Sequence, residues 1–387
     1  MPTPLRVAIF LAVVLALNGL AHAYIYHRLV RRPQWPSPLA RRMLGSALVG
    51  LAVFLPLAMI ASRFLPRPAA QPVAYLAFTW MGMIFYLLLL FGLFDAGRLL
   101  ARLLRRAPAP PDPARRALLH RGAAVAVGGA SVAVSSVALR EGLGESEIRE
   151  VGVKLDRLPP KLSGLTIVQL SDMHIGPTLG RGFTRGIVER VNALKPDLVV
   201  VTGDLVDGSV DQLMEHVAPL AGLRARYGRY FVTGNHEYYS GANAWSAALD
   251  RLGLRVLHDE KVEIGDDGGR IELLGIDDWS VYGGQADARG ARLAARLTPD
   301  RERILLAHQP RAVGEAVRFD AGLQLSGHTH GGQLFPFSAL VGLTTPYVAG
   351  LYDHTPRTQV YVSRGTGFWG PPMRFLAPAE ITKIVLG

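Results

Sequence analysis

The chain contains no cysteine, which excludes disulfide bonds, thiolate metal sites and a cysteine nucleophile in one step. Its first 140 residues also lack lysine and glutamate; against 16 arginines they hold only Asp95 and Asp112 as acids. That stretch carries +14, so the +11 of the whole chain leaves −3 for residues 141–387. The basic balance therefore belongs to the N-terminal part alone. A nucleic-acid-binding protein needs its cations on the folded surface that meets the phosphates. Here they flank apolar runs, so no nucleic-acid partner is expected.

Charge is nearly absent from three of those runs, residues 5–26, 44–65 and 73–94. Each is long enough for a hydrocarbon layer of ~30 Å, which takes about 20 helical residues. A fourth run, 122–139, is uncharged but rich in Gly, Ala and Ser, and it too is expected to span. Cytoplasmic loops are enriched in Lys and Arg. Arg28, Arg31, Arg32, Arg41 and Arg42 follow the first run, and Arg98, Arg102, Arg105, Arg106, Arg115, Arg116 and Arg121 follow the third. Only Arg63, late in the second run, and Arg67 beyond it flank the second loop, and Arg6 alone marks the N-terminal end of the first run. This alternation puts the first and third loops inside and everything after Arg140 on the extracytoplasmic side. Arg115-Arg116-Ala117-Leu118-Leu119 also resembles a twin-arginine export signal. It reads as well as a plain inside anchor, and both readings export the C-terminal domain. The expected organisation is a multi-pass anchor over 1–140 in the cell membrane, with the lipid bilayer as partner, a linker over 141–160 leading into a domain, and that domain over 161–387. The Ala/Pro segment 107–114 reads as a loop between spans.

From about Val151 the pattern changes to short β-branched runs alternating with amphipathic stretches. Residues 165–170, 198–202, 230–233, 271–276, 304–307, 323–326, 359–363 and 381–386 read as strands, and 183–194, 210–220, 243–252 and 288–297 as helices. Such alternation indicates an α/β domain, whose strand C-termini open on a common crevice. Five of these strands end in ligand-type residues: Asp172 and His174; Asp204 and Asp207; Asn235 and His236; His308; His328 and His330. A lone histidine or a Gly-Asp pair is ordinary. Five clusters, each closing its own apolar run, are not. In Asp172-x-His174 and His328-x-His330 an extended chain turns both side chains to one side. Imidazoles, carboxylates and an amide without thiolate suit Mn, Fe or Zn, manganese first, rather than Ca or a soft metal. Three or four imidazoles, two or three carboxylates and an amide, about seven ligands, exceed what one four-coordinate catalytic ion takes and fit two ions sharing a carboxylate.

These five motifs, in this order, resemble the calcineurin-like metallophosphoesterase superfamily. The tail Tyr361-Val362-Ser363-Arg364-Gly365-Thr366-Gly367 with Gly370-Pro371-Pro372 and Glu380-Ile381, together with Gly331-Gly332-Gln333, is similar to its branch of membrane-associated bacterial phosphodiesterases. The resemblance implies two β-sheets sandwiched between helices, an α/β/β/α arrangement. It implies one metal held by Asp172, His174, Asp204 and His330, and a second by Asp204, Asn235, His308 and His328, with Asp204 as bridge. It further implies hydrolysis of a phosphate ester or anhydride by a hydroxide bridging two divalent cations, with His236 as proton donor and Asp207 orienting it. The substrate expected is a phosphorylated small molecule or lipid-linked compound of the membrane or envelope, cleaved as by a phosphodiesterase or pyrophosphatase. The alternative is a non-catalytic membrane sensor or scaffold with a structural dinuclear site. Oligomeric state is not legible. His216, His258 and His354 are expected outside the site, and Phe368, Trp369, Met373 and Phe375 are expected mainly as core.

Overall fold

A computed structural model of the chain describes residues 4–62, 64–104, 112–345 and 347–387. Arg63, Arg105 and Arg106 of the arginine count, and 107–111 of the Ala/Pro segment, lie outside the described residues. The chain divides into two compact units, one of them Met1–Arg140 with Gly370–Met373, the other Glu141–Trp369 with Arg374–Gly387.

In the first unit, among the described residues, four helices are long and apolar enough to cross a membrane. They are α1 (Pro4–Tyr26), α2 (Pro38–Ala61), α3 (Arg67–Leu104) and α4 (Pro113–Gly142). Helices α1, α3 and α4 outrun their apolar runs, α3 by ten residues at its C-terminal end, since the Leu, Ala and Arg of Asp95–Leu104 sustain a helix whether or not lipid surrounds it. Helix α2 instead starts ahead of its run and stops at Ala61, before the run ends. Ser37 starts α2 by accepting the Ala40 amide on its hydroxyl, with Pro38 in the first turn. Trp80 donates to His22 (3.0 Å) and Asn18 to the Ala52 carbonyl (2.9 Å), giving α1, α2 and α3 polar cross-links within an apolar core.

The second unit has, among the described residues, strands β1 (Glu147–Val153), β2 (Thr166–Leu170), β3 (Leu198–Thr202), β4 (Arg229–Val232), β5 (Arg255–Val256), β6 (Glu260–Asp266), β7 (Gly269–Gly275), β8 (Arg303–Leu306), β9 (Leu323–Ser326), β10 (Gly350–Asp353), β11 (Gln359–Val362) and β12 (Glu380–Leu386). They form two six-stranded sheets, ordered β1-β12-β2-β3-β4-β5 and β10-β11-β9-β8-β7-β6. Strands β2 to β5 are parallel, as are β7, β8, β9 and β11. Successive residues of a strand face opposite ways. Ile167, Leu198, Val200 and Val232 therefore meet Ile271, Ile304, Leu306 and Leu325 between the sheets. Val168, Leu170, Val199 and Val201 pack outward on the helices Arg181–Ala193, Val210–Val217 and Ala242–Arg251. Leu274 and Leu305 cover the far side with Leu293 and Ala316 of the helices Ala286–Ala294 and Val313–Arg318. Burial on both faces is why these strands read as unbroken apolar runs.

Among the described residues four strands, β1, β5, β6 and β10, lie outside the set expected from sequence. The 141–160 segment is not merely linker, because β1 lies in it, paired along its length with β12. Its residues are mostly exposed, so no apolar alternation marks it. The hairpin partner β6 is masked likewise, since Glu260, Lys261 and Glu263 break up its apolar residues.

Candidate metal centre

Every ligand-type cluster expected from sequence leaves a strand at the same edge. Asp172 follows β2, Asp204 follows β3, Asn235 and His236 follow β4, His308 follows β8, and His328 and His330 follow β9. The turns are tight. Asp172, His174, Asp204, His328 and His330 all adopt positive φ, between 46° and 73°, a strained backbone that persists where surrounding structure enforces it, often at functional sites. At Gly203 a Cβ would lie 2.6 Å from the Gly234 nitrogen, so only glycine lets the β3 and β4 loops approach this closely.

Candidate ligand atoms from Asp172, His174 and His330 lie within 4.8 Å of one another, as do those from Asp204, His308 and His328. Asp204 is central: its Oδ2 stands 3.2 Å from His308 Nε2, 3.9 Å from His236 Nε2 and 4.0 Å from His174 Nε2. Its Oδ1 accepts the His236 backbone amide at 2.9 Å. Within the first group His174 Nε2 and His330 Nε2 stand 3.1 Å apart, within the second His328 Nδ1 and His308 Nε2 stand 3.2 Å apart, and the two groups meet where His174 Nε2 faces Asp204 Oδ2. Asn235 Oδ1 is buried without a hydrogen-bond partner. A buried acceptor is seldom left unpaired in a native structure, and an amide oxygen in this position fits a hard cation. The donor set therefore fits divalent metals.

The outer nitrogens have their own partners. His308 Nδ1 donates to the Thr202 carbonyl at 2.8 Å, leaving Nε2 free to ligate. Asp207 accepts from His174 Nδ1 at 3.1 Å and from His236 Nδ1 at 2.6 Å. One carboxylate thus fixes two rings with Nε2 inward, a tautomer assigned from these partners. Burial opposes charge on Asp207, yet the two histidines outweigh it and hold its carboxyl well below the usual range. For His174, burial is outweighed by Asp207, raising it to about 9. His330 is driven the other way, well below the ordinary value, by burial and then by the charges of His174 and Arg374.

Two residues that sequence reasoning passed over complete the site. Glu237 is fully buried and accepts four backbone amides, those of Gly234 (2.7 Å), Leu205 (2.8 Å), Asp204 (2.9 Å) and Val206 (3.3 Å). Burial, then the Asp204 charge, raises it to about 7. The available signal was its place at the third position of the helix Asn235–Ser240, whose N-terminal amides want a carboxylate. Glu237→Gln would turn an amide NH2 toward amide donors. It is expected to weaken metal binding ~10–100-fold, the usual cost of losing such an outer partner, with turnover recovering as metal is added. Metal titration by calorimetry checks this, and an unchanged affinity would assign Glu237 to packing alone. Arg374, also fully buried, donates to the carbonyls of Gly367 (2.9 Å), Ala377 (2.8 Å) and His330 (3.3 Å) and lies 3.2 Å from His330 Nδ1.

The remaining histidines lie outside the ligand groups. His216 is on the helix Val210–Val217, and His354 Nδ1 meets the Tyr347 hydroxyl at 2.6 Å. His258 Nδ1 donates to Asp277 at 2.6 Å, and that hydrogen bond raises its pKa against the effect of burial. Its stabilising contribution is full below the ordinary histidine pKa and fades as pH rises through the raised value. His258→Ala should therefore lower the thermal midpoint by about 2 °C at pH 6 and by less at pH 9, as scanning calorimetry would register. The apolar tail cluster divides. Phe368 and Met373 are buried and Phe375 half-buried, but Trp369 is 56% exposed with its ring 6.3 Å from that of His236. The expectation of core fails for Trp369, which rims the site.

Residues 165–332 match the profile of the family described as calcineurin-like phosphoesterase. A bovine transmembrane protein with metallophosphoesterase domain is 40% identical over 355 residues, covering 87% of this chain and 79% of that one. A zebrafish protein of the same description is 35% identical over 402 residues, covering 97% and 89%. Among solved structures, Haemophilus influenzae NAD nucleotidase aligns with a TM-score of 0.37 at 20% identity, over 52% of this chain and 50% of that one.

Proposed function

The chain belongs to the calcineurin-like metallophosphoesterase family, and from that premise we propose which residues carry its reaction, on what substrate and on which side of the membrane. It is a membrane protein and a dinuclear, metal-dependent phosphoester hydrolase. In our reading Asp172, His174, Asp204 and His330 hold one ion, and Asp204, Asn235, His308 and His328 the other, with manganese as the preferred metal. The observation that supports this is the pair of three-residue ligand groups, Asp172 with His174 and His330 and Asp204 with His308 and His328, with His174 also facing Asp204 and the buried oxygen of Asn235 awaiting a partner. Two divalent ions supply an acidified water and neutralise charge on the phosphoryl oxygens. The protein's own part is to place acid and charge. His236, held through Nδ1 by Asp207, keeps Nε2 directed at the space beside Asp204. From there it protonates the departing oxygen. A sensor with a structural metal pair would have no use for this His236–Asp207 couple.

The substrate we favour is a phosphodiester or pyrophosphate in a membrane- or envelope-linked molecule. The anchor over 1–140 keeps the enzyme at the bilayer, and Trp369 offers an aromatic surface beside the site. The test is turnover by the manganese-loaded chain on a panel of diesters, monoesters, nucleotide pyrophosphates and extracted lipids. Selectivity for soluble monoesters over every lipid-linked compound would overturn the substrate class.

We place the hydrolase domain, 161–387 with β1 as its extension, on the extracytoplasmic side. The support is the arginine distribution and α4, a fourth helix long enough to span. Alkaline phosphatase fused after Glu150 should be active, and a fluorescent protein inserted at Ala109 should glow. An inactive fusion, with the domain protected from protease in intact cells, would put the enzyme in the cytoplasm.

A further inference from the structure

The arginines of the helical unit do more than mark the inner side of a membrane, because four of them converge. Arg28 and Arg32 lie just past the apolar run of α1, and Arg98 and Arg102 just past that of α3; together they line a cavity of ≈ 250 Å³ with Tyr24 and Asp95. Among the described residues Asp95 is the only carboxylate lining it, and it is already committed. Its Oδ1 pairs with Arg28 at 3.2 Å and its Oδ2 accepts from the Tyr24 hydroxyl at 2.7 Å. Arg32 leans on an imidazole, through Nε to His27 at 2.9 Å, and Arg98 stands 3.4 Å from His120 Nδ1. Four cations thus face one anion, an excess of three.

Arg28 is the deepest. It is only 4% exposed, its guanidinium sits 5.2 and 5.3 Å from the ring centres of Phe91 and Phe94, and its Nε has no hydrogen-bond partner. A buried guanidinium N–H left unpaired is costly. The chain is also held out of regular helix here: His27–Arg31 forms a π-helical turn, a feature that recurs at functional sites. Like charges gathered in a cavity call for a counter-anion, and guanidinium forks match phosphate oxygens in particular.

We propose that this cavity binds a phosphate-bearing anion, and that an anionic phospholipid headgroup supplies it. The cavity sits where the apolar runs of α1 and α3 both end, the level of the headgroups. Basic pockets between membrane helices recognise such lipids. None of its lining residues is among the proposed metal ligands, and the proposal is independent of the reaction assigned to them.

The test uses the full chain in nanodiscs of phosphatidylcholine with and without phosphatidylglycerol, and a second arm in detergent with inorganic phosphate. The readouts are thermal midpoint and lipid retained in native mass spectrometry. Phosphatidylglycerol should stabilise the wild type and remain bound. Arg32→Gln with Arg102→Gln, which spares the Arg28–Asp95 pair, should weaken retention roughly thirtyfold, since each cation near the surface contributes on the order of 1 kcal/mol. Arg41→Gln with Arg42→Gln removes the same charge outside the cavity and should retain lipid like the wild type. A midpoint shift with inorganic phosphate that Arg32→Gln/Arg102→Gln abolishes, in the absence of lipid retention, would confirm the anion site and overturn the lipid source. Equal behaviour of the two double variants, or no shift with either anion, would overturn the site.

Discussion

Replacing Asp204 with Asn is expected to leave the fold standing while removing at least one metal ion and lowering turnover by a factor of ~10³ or more. The oxygen retained in the amide can still accept the His236 amide as Oδ1 does at 2.9 Å, so the β3 and β4 loops keep their contact. What disappears is a negative charge within 4.0 Å of three imidazoles, those of His308, His236 and His174. In this structure His308 and then His174 hold the Asp204 carboxyl far below its ordinary pKa against the effect of burial. Its charge is therefore the feature the surrounding cations are arranged around. A neutral amide cannot balance two divalent ions, and their joint neutralisation of phosphoryl charge is the largest single contribution to rate at such a site. Metal analysis should fall from about two ions per chain to one or fewer, with an unchanged circular dichroism spectrum. Full activity in the unmutated chain with a single ion would overturn the dinuclear reading.

The sequence made the candidate metal centre legible for a physical reason: its proposed ligands sit at the ends of strands buried on both faces, and each such strand announces itself as an apolar run. Val199-Val200-Val201-Thr202 followed by Gly203-Asp204 is readable locally, as is Leu323-Gln324-Leu325-Ser326 followed by Gly327-His328. What stayed hidden depends on contacts made at a distance. Glu237 differs from any exposed glutamate only because the β3 loop folds its amides onto it. Arg374 reads as one more cation in a proline-rich tail until the carbonyls of Gly367 and Ala377 enclose it. Strand β1 is invisible because its exposed residues carry no periodicity, and its pairing with β12 spans more than 220 residues of chain. The helical anchor shows the same division. Apolar length revealed α1 to α4, whereas the meeting of Arg28 with Arg98 and Arg102 depends on how α1 and α3 pack.

Removing the imidazole in His236→Ala should separate chemistry from metal retention. His236 touches the site through its backbone amide on Asp204 Oδ1 and through Nδ1 on Asp207. Alanine keeps the first contact and loses the second. Asp207 then still holds His174 at 3.1 Å, so that ring stays in place and two ions per chain are expected to remain. The rate should depend on what must leave. An alkoxide departs poorly without a proton, and losing its donor is expected to cost ~10²–10⁴ in turnover. A nitrophenolate leaves unassisted, and its turnover should change little. A series of aryl and alkyl esters, plotted as log kcat against leaving-group pKa, should therefore steepen in the variant. A uniform drop with the slope unchanged would show that His236 stabilises charge in the transition state and gives up no proton. Loss of an ion would instead make it a ligand, and would remove it from the acid role altogether.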